Sequence, residues 1–290
     1  YSGSLQAFGI FAFNYNGGNI TVNNSGDISV EGQSFEAGIF ATTPDSITII
    51  NDGSIAVKSS ALGFGIYASS AYQISINNSG DIAVDASGYA AGIYASSNFG
   101  DITILNSGDI NSSTYGAYYG NASGITATSK FTGNTSITNS GKITTTSVYA
   151  DAVGISATAK YDASITNSGD ITVVADAGYA TGLIAEGKYN GTVSVNNSGA
   201  ISVSGYGDSY GIQAIAYSGD ISVTNGTKAI TATATGDYET AIGIKAASYY
   251  GDIVIVSNGA ITANGDYATG ISANTGSYTY YGYYANYTTN

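Results

Sequence analysis

Twenty side chains of this 290-residue chain are carboxylates, 16 Asp and 4 Glu, while His, Cys and Arg are all absent. Glycosidic bond cleavage needs one carboxylic acid with a raised pKa and a second carboxylate a defined distance away. Of the glutamates only Glu31 and Glu36 fall close together, while Glu186 and Glu239 stand alone. Asp27, Asp81, Asp109 and Asp170 each follow an Asn-Ser-Gly triplet, but Ser54, Lys142, Ala200 and Ala260 interrupt the series, so no continuous acidic ladder is expected. Zinc and copper lack their usual ligands without His or Cys. Calcium needs several converging oxygens, and the Gly-Gly-x-Gly-x-Asp binding repeat is missing. Asp81 with Asp109 therefore reads as two solvated carboxylates. Gly141-Lys142 lacks the spacing of a phosphate-cradling loop. The expectation is no enzyme, no metal and no cofactor; an enzymatic reading would rest on Glu31 and Glu36.

What positions these residues is a repeat. The phrase Gly-Ile-x-Ala recurs about every 29 residues, its glycines at Gly9, Gly38, Gly65, Gly92, Gly124, Gly154, Gly182, Gly211, Gly243 and Gly270. A second phrase, Ile-x-Val-x-Asn-Ser-Gly-Asp-Ile, follows it through Asn24, Asn51, Asn78, Asn106, Asn139, Asn167, Asn197 and Asn225, with Ser257-Asn258-Gly259 in its place in the last repeat. A fixed period of this length marks a solenoid. Each period holds three short alternations, such as Ile10-x-Ala12, Ile20-x-Val22 and Ile28-x-Val30, and alternation is the strand signature. Forty glycines argue against helices. The expected fold is all-β, a parallel β-helix of about nine coils with three strands per coil. Its core should stack Ile10 through Ile271, Ala12 through Ala273, and Ile28 through Ile261 in columns about 4.8 Å apart per coil.

The Asn-Ser-Gly phrase admits two readings. Asn23-Asn24-Ser25 and Asn196-Asn197-Ser198 are formal glycosylation sequons. Alternatively Asn and Gly accept left-handed backbone and cap turns, with the asparagines Asn24 through Asn225 stacking into a hydrogen-bonded ladder. Recurrence in every coil favours the structural reading.

Charged residues make up only 9% of the chain, and the formal net charge is −13. All seven cations are lysines, with no basic run, which disfavours nucleic acid and anionic membranes as partners. No apolar stretch is long enough to span a bilayer. The repeat phrases together resemble those of bacterial autotransporter passengers and related secreted right-handed β-helix adhesins, over roughly residues 9 to 273. That resemblance implies a secreted or surface-displayed bacterial protein with a long rigid stem, hence an extracellular or cell-surface location.

Aromatic residues carry the functional promise. Phe11, Phe40, Tyr67 and Tyr94 follow the Gly-Ile pair and should form an outward stripe. A second series, Tyr72, Phe99, Phe131, Tyr161, Tyr189, Tyr217 and Tyr250, sits in the loop before the second strand. Such series either stack on themselves or mark a contact surface for glycans or cells. Residues 1–8 read as an N-terminal segment, 9–273 as solenoid, and 274–290 as a Tyr-rich segment. Its tyrosines, Tyr278, Tyr280, Tyr281, Tyr283, Tyr284 and Tyr287, are expected to cap the rod or join a neighbour. Charge-poor ends without an amphipathic capping helix suggest head-to-tail stacking of copies into a bacterial surface filament. The alternative is the stem of a larger adhesin that binds glycans or cells through the aromatic stripe.

Overall fold

The structure, a computed structural model, describes residues 6–116 and 120–276, together with the backbone of 278–281 and 284–287. No helix occurs among the described residues. The first coil sets the pattern with strands Ala7–Phe13, Ile20–Asn24 and Ile28–Gly32. Equivalent strands of successive coils pair in parallel into sheets of ten, nine and nine strands. Nine full coils are thus followed by a tenth long strand, Tyr267–Thr275. At about 4.8 Å per coil the rod is on the order of 45 Å long.

The expected columns are present residue for residue. Ile39 pairs with Ile10 on one side and Ile66 on the other, and Ile66 pairs with Ile93. Ala41 stands between Ala12 and Ala68, and Ile55 between Ile28 and Ile82. Ile39, Ile66 and Ile93 are fully buried. In the long strands the Gly-Ile step interrupts the in–out alternation. Glu36, Ile39 and Ala41 lie in the interior, whereas Ala37 and Phe40 belong to an apolar cluster outside it. The glycine is needed there because a Cβ on Gly38 would overlap the Ile55 side chain of the same coil. Gly-Ile-x-Ala and the third-strand isoleucine are therefore two halves of one packing unit.

The asparagine ladder is real and runs one way. Asn51 Nδ2 donates to Asn78 Oδ1 at 2.7 Å, Asn78 to Asn106 at 2.7 Å, and Asn106 to Asn139 at 2.7 Å. The series starts at Asn24, continues through Asn167 and Asn197, and ends where Asn225 donates to the Ser257 hydroxyl at 3.1 Å. From Asn24 to Asn197, each amide gives its other hydrogen to the carbonyl of the glycine two residues on, 2.7 Å in the case of Asn106 to Gly108. These asparagines end strands rather than begin turns, and most are buried.

The left-handed backbone expected of this turn is absent. Among the described residues positive φ occurs only at Gly17, Gly18, Gly133, Gly276 and Tyr238. The turn glycine is required for a different reason: a Cβ on Gly80 would overlap the carbonyl of Gly53, and one on Gly108 that of Gly80. Coils approach backbone to backbone at this corner, so any side chain would hold them apart.

Aspartates fasten one coil to the next. Asp27 Oδ1 accepts both the amide (3.0 Å) and the hydroxyl (2.6 Å) of Ser54. Asp81 accepts the amide of Asp109 at 2.9 Å, Asp109 that of Lys142 at 2.7 Å, and Asp170 that of Ala200 at 2.9 Å. The other corners repeat the device, with Asp162 accepting from Thr192 and Asp151 from Tyr179. Where Ser54, Lys142 or Ala200 interrupts the acidic series, its amide is the donor to the aspartate of the preceding coil.

One interior column loses its apolar character in two coils. The valine column Val30, Val57, Val84 continues as Ser112 and Thr145, whose buried hydroxyls make no hydrogen bond. Beyond the solenoid, strands Tyr278–Tyr281 and Tyr284–Tyr287 pair antiparallel as a separate two-stranded sheet. Tyr283 lies outside the described residues.

Candidate interaction surface

Phe11, Phe40, Tyr67 and Tyr94 do form one column on the outer face of the ten-stranded sheet. Neighbouring rings are near-parallel, at 5.2, 5.1 and 5.2 Å between centroids and 8°, 3° and 12° between planes. A second set of rings, drawn from two neighbouring columns, interlocks with it. Phe8, Phe35, Phe64 and Tyr89 lie beside the stacked rings, with Phe64 edge-on to Tyr67 at 5.2 Å and 78°, and Phe35 edge-on to Phe40 at 5.8 Å and 80°. Ala37 and Ala91 are buried among these rings. Such pairs each add about 0.5–1.5 kcal/mol beyond area burial.

The first four coils thus carry an apolar layer outside the solenoid wall, separate from the interior core. From the fifth coil the same column reads Thr126, Ser156, Ile184, Gln213, Lys245 and Ser272. Burial pushes the phenol of Tyr67 above its ordinary value, and does so for Tyr89 although the Ser123 hydroxyl, 3.2 Å away, pulls the other way. The stacked column is legible in the residues because it keeps a one-coil period. The interlocking rings escaped because they switch between two columns, leaving Ala37, Leu62 and Ala91 in the gaps.

Stacking within the stripe leaves ring edges rather than ring faces toward solvent. The loop series differs: Tyr72, Phe99, Phe131 and Tyr250 are each more than half exposed. Phe99 and Phe131 are tilted by 34°, and Tyr161 and Tyr189 by 66°. Tyr217 stacks on Tyr249 at 5.8 Å, with Tyr250 edge-on to Tyr249, so the series steps sideways by one residue there.

Glu31 and Glu36 do not converge on one another as a glycosidase pair would. Glu31 is exposed and 3.9 Å from Lys58, whereas Glu36 points inward. Its carboxylate accepts the Ser34 amide at 2.9 Å and the Ser59 hydroxyl, and Gly32 leaves the space it fills. Near the other end, Asp208 accepts the Thr240 amide (2.8 Å) and the Tyr210 hydroxyl (2.9 Å). Glu239 beside it is raised by burial and by sharing a hydrogen bond with Asp208; Lys245, over the Tyr210 ring at 4.8 Å, is lowered by burial. Among the described residues no group of three or more Asp and Glu could hold a metal ion.

The family model described as the BigA third pectate lyase-like domain matches residues 12–196. The chain belongs to that family. The BigA-type match covers well over half of the chain, from the first coil into the seventh. It agrees with the solenoid and with the resemblance to autotransporter passenger repeats. Searches among curated proteins and among solved structures return no match.

Proposed function

We propose that this BigA-type solenoid is a stretch of rigid stalk in a bacterial surface adhesin, and that it meets other surfaces through the outer aromatic face of its first four coils. The observation that carries this reading is the apolar layer itself. The interior core is complete without it, since Ile39, Ile66 and Ile93 are fully buried behind the sheet. Family membership and the passenger-like repeats favour display outside the cell, and the low charge density suits a face that contacts rather than repels. Ring edges and two phenols favour a flat protein or cell-wall surface over a sugar ring seated on an aromatic plane. Binding, not turnover, is the chemistry such a face supplies.

The test is Phe40→Ser with Tyr67→Ser, read as attachment of cells or purified domain to a surface. Attachment should fall at least tenfold while circular dichroism still reports the folded solenoid. Unchanged attachment by a folded double variant would end this reading.

A second reading is head-to-tail assembly of copies into a filament, favoured by the parallel coil-to-coil pairing of equivalent strands, a pairing that one copy could continue onto the next. Electron microscopy at high concentration distinguishes the two, because only the filament reading predicts growth that deletion of residues 274–290 abolishes.

A further inference from the structure

We propose that the corner between the first and second sheets of coils five to seven binds an anionic polysaccharide, laid along the rod. This extends the surface-contact reading without depending on the N-terminal stripe. Three of the seven lysines fall at one corner position in consecutive coils, each followed by an aromatic: Lys130-Phe131, Lys160-Tyr161 and Lys188-Tyr189. The pairings Thr128 with Thr158 and Ala159 with Gly187 place the three lysines one above another. In a chain of net charge −13, three of the seven cations in a row at a single corner concentrate positive charge there.

The aromatic partners are presented as a sugar would need them. Phe131, Tyr161 and Tyr189 are 59%, 40% and 49% exposed. Tyr161 and Tyr189 stand 6.5 Å apart at 66°, so their faces are not closed on each other as they are in the N-terminal stripe. The coil rise of about 4.8 Å is close to the length of one pyranose unit, so successive sugars meet successive coils. Lys160 Nζ lies 4.7 Å from the centroid of Tyr189, a cation held against the ring by its quadrupole. The ammonium covers one face of that ring, so a carboxylated sugar meeting the exposed remainder of Tyr189 would find the cation beside it.

The neighbouring acids are already engaged. Asp162 accepts the amide of Thr192 at 2.7 Å and its hydroxyl at 3.1 Å, and Asp101 accepts the amide of Asn134 at 2.7 Å. Glu186 is 4.0 Å from Lys188, an exposed pair that an anionic ligand exchanges at little cost. Acidic groups elsewhere on the rod are screened beyond about 8 Å at physiological salt. Binding is then weak per sugar and accumulates along the strand.

The experiment uses the full chain and alginate as a carboxylated probe, with dextran as a neutral one, in affinity electrophoresis and calorimetry. Alginate is expected to bind and dextran not, with affinity falling at least tenfold between low and half-molar salt. Lys130→Gln with Lys160→Gln and Lys188→Gln should cost at least tenfold, whereas Lys58→Gln with Lys142→Gln, on another face, should cost less than twofold. The Phe40→Ser, Tyr67→Ser variant should keep alginate binding, which separates this site from the N-terminal one. No retardation by alginate, equal binding of dextran, or an unaffected triple variant with a folded spectrum would each overturn the proposal.

Discussion

Asn106→Ala tests whether the amide ladder stabilises the rod or merely accompanies it. Asn106 is 3% exposed, donates to Gly108 O and Asn139 Oδ1, both at 2.7 Å, and accepts from Asn78 Nδ2 at 2.7 Å. Alanine removes three bonds, each contributing about 1 kcal/mol net, and strands the three partner groups in a buried site at about 1–3 kcal/mol each. Water entering the space left by the amide offsets part of this, so a loss of about 3–5 kcal/mol is expected. Asn24→Ala is the control. It loses only the bonds to Gly26 and Asn51, on a rung where solvent takes over, and about 1 kcal/mol is expected. Denaturant unfolding should be paired with hydrogen exchange of the amides in coils four and five, because repeat arrays open locally. Equal losses for the two variants would refute the claim that coupled, desolvated rungs hold the coils together.

Gly80→Ala should cost at least about 2 kcal/mol because its Cβ meets the Gly53 backbone, while Gly26→Ala, with nothing within 4 Å, should stay within about 0.5 kcal/mol; equal melting temperatures would return the turn glycine to a conformational role. Thr145→Val replaces a buried, unbonded hydroxyl with a methyl group and should stabilise the rod by about 1 kcal/mol, measured by chemical denaturation. Tyr67 and Tyr89 should ionise above the ordinary tyrosine value in a spectrophotometric titration. With folded values above the unfolded one, their contribution to stability is complete below about pH 10 and lost as pH rises through the folded values. Tyr89→Phe should remove one late-titrating group and soften the alkaline loss.

The architecture was legible because its determinants share the coil period. Ile66 pairs with Ile39 and Ile93, and Asn78 with Asn51 and Asn106, as equal spacing in sequence demands. What breaks the period was hidden. Glu36 reads as a surface glutamate on a strand, yet it lies in the interior because Gly32 and Ser59 vacate room and supply a donor, both in the neighbouring third-sheet column. Phe64 and Tyr89 escaped for a related reason: Phe64 stands between Ala37 and Ala91, while Tyr89 joins the same cluster from a different column, a relation between rows that no single row displays. The turn glycine was located but misread, since a Gly beside Asn and Ser suggests left-handed backbone, whereas the cause is an approaching carbonyl from outside its own segment. Three lysine–aromatic pairs were visible as residues and acquire meaning only once the register lines them up.

Every rung of the amide ladder points its donor toward the C-terminal end and its acceptor toward the N-terminal end. The rod is accordingly a directional object, like a zip whose teeth engage in only one sense. A coil transplanted from elsewhere in the stack would seat in any position, but one inverted would bring amide hydrogens against amide hydrogens and be rejected. Lengthening by duplication of whole coils is therefore open to this chain, and growth by mirror-like joining of two identical ends is not.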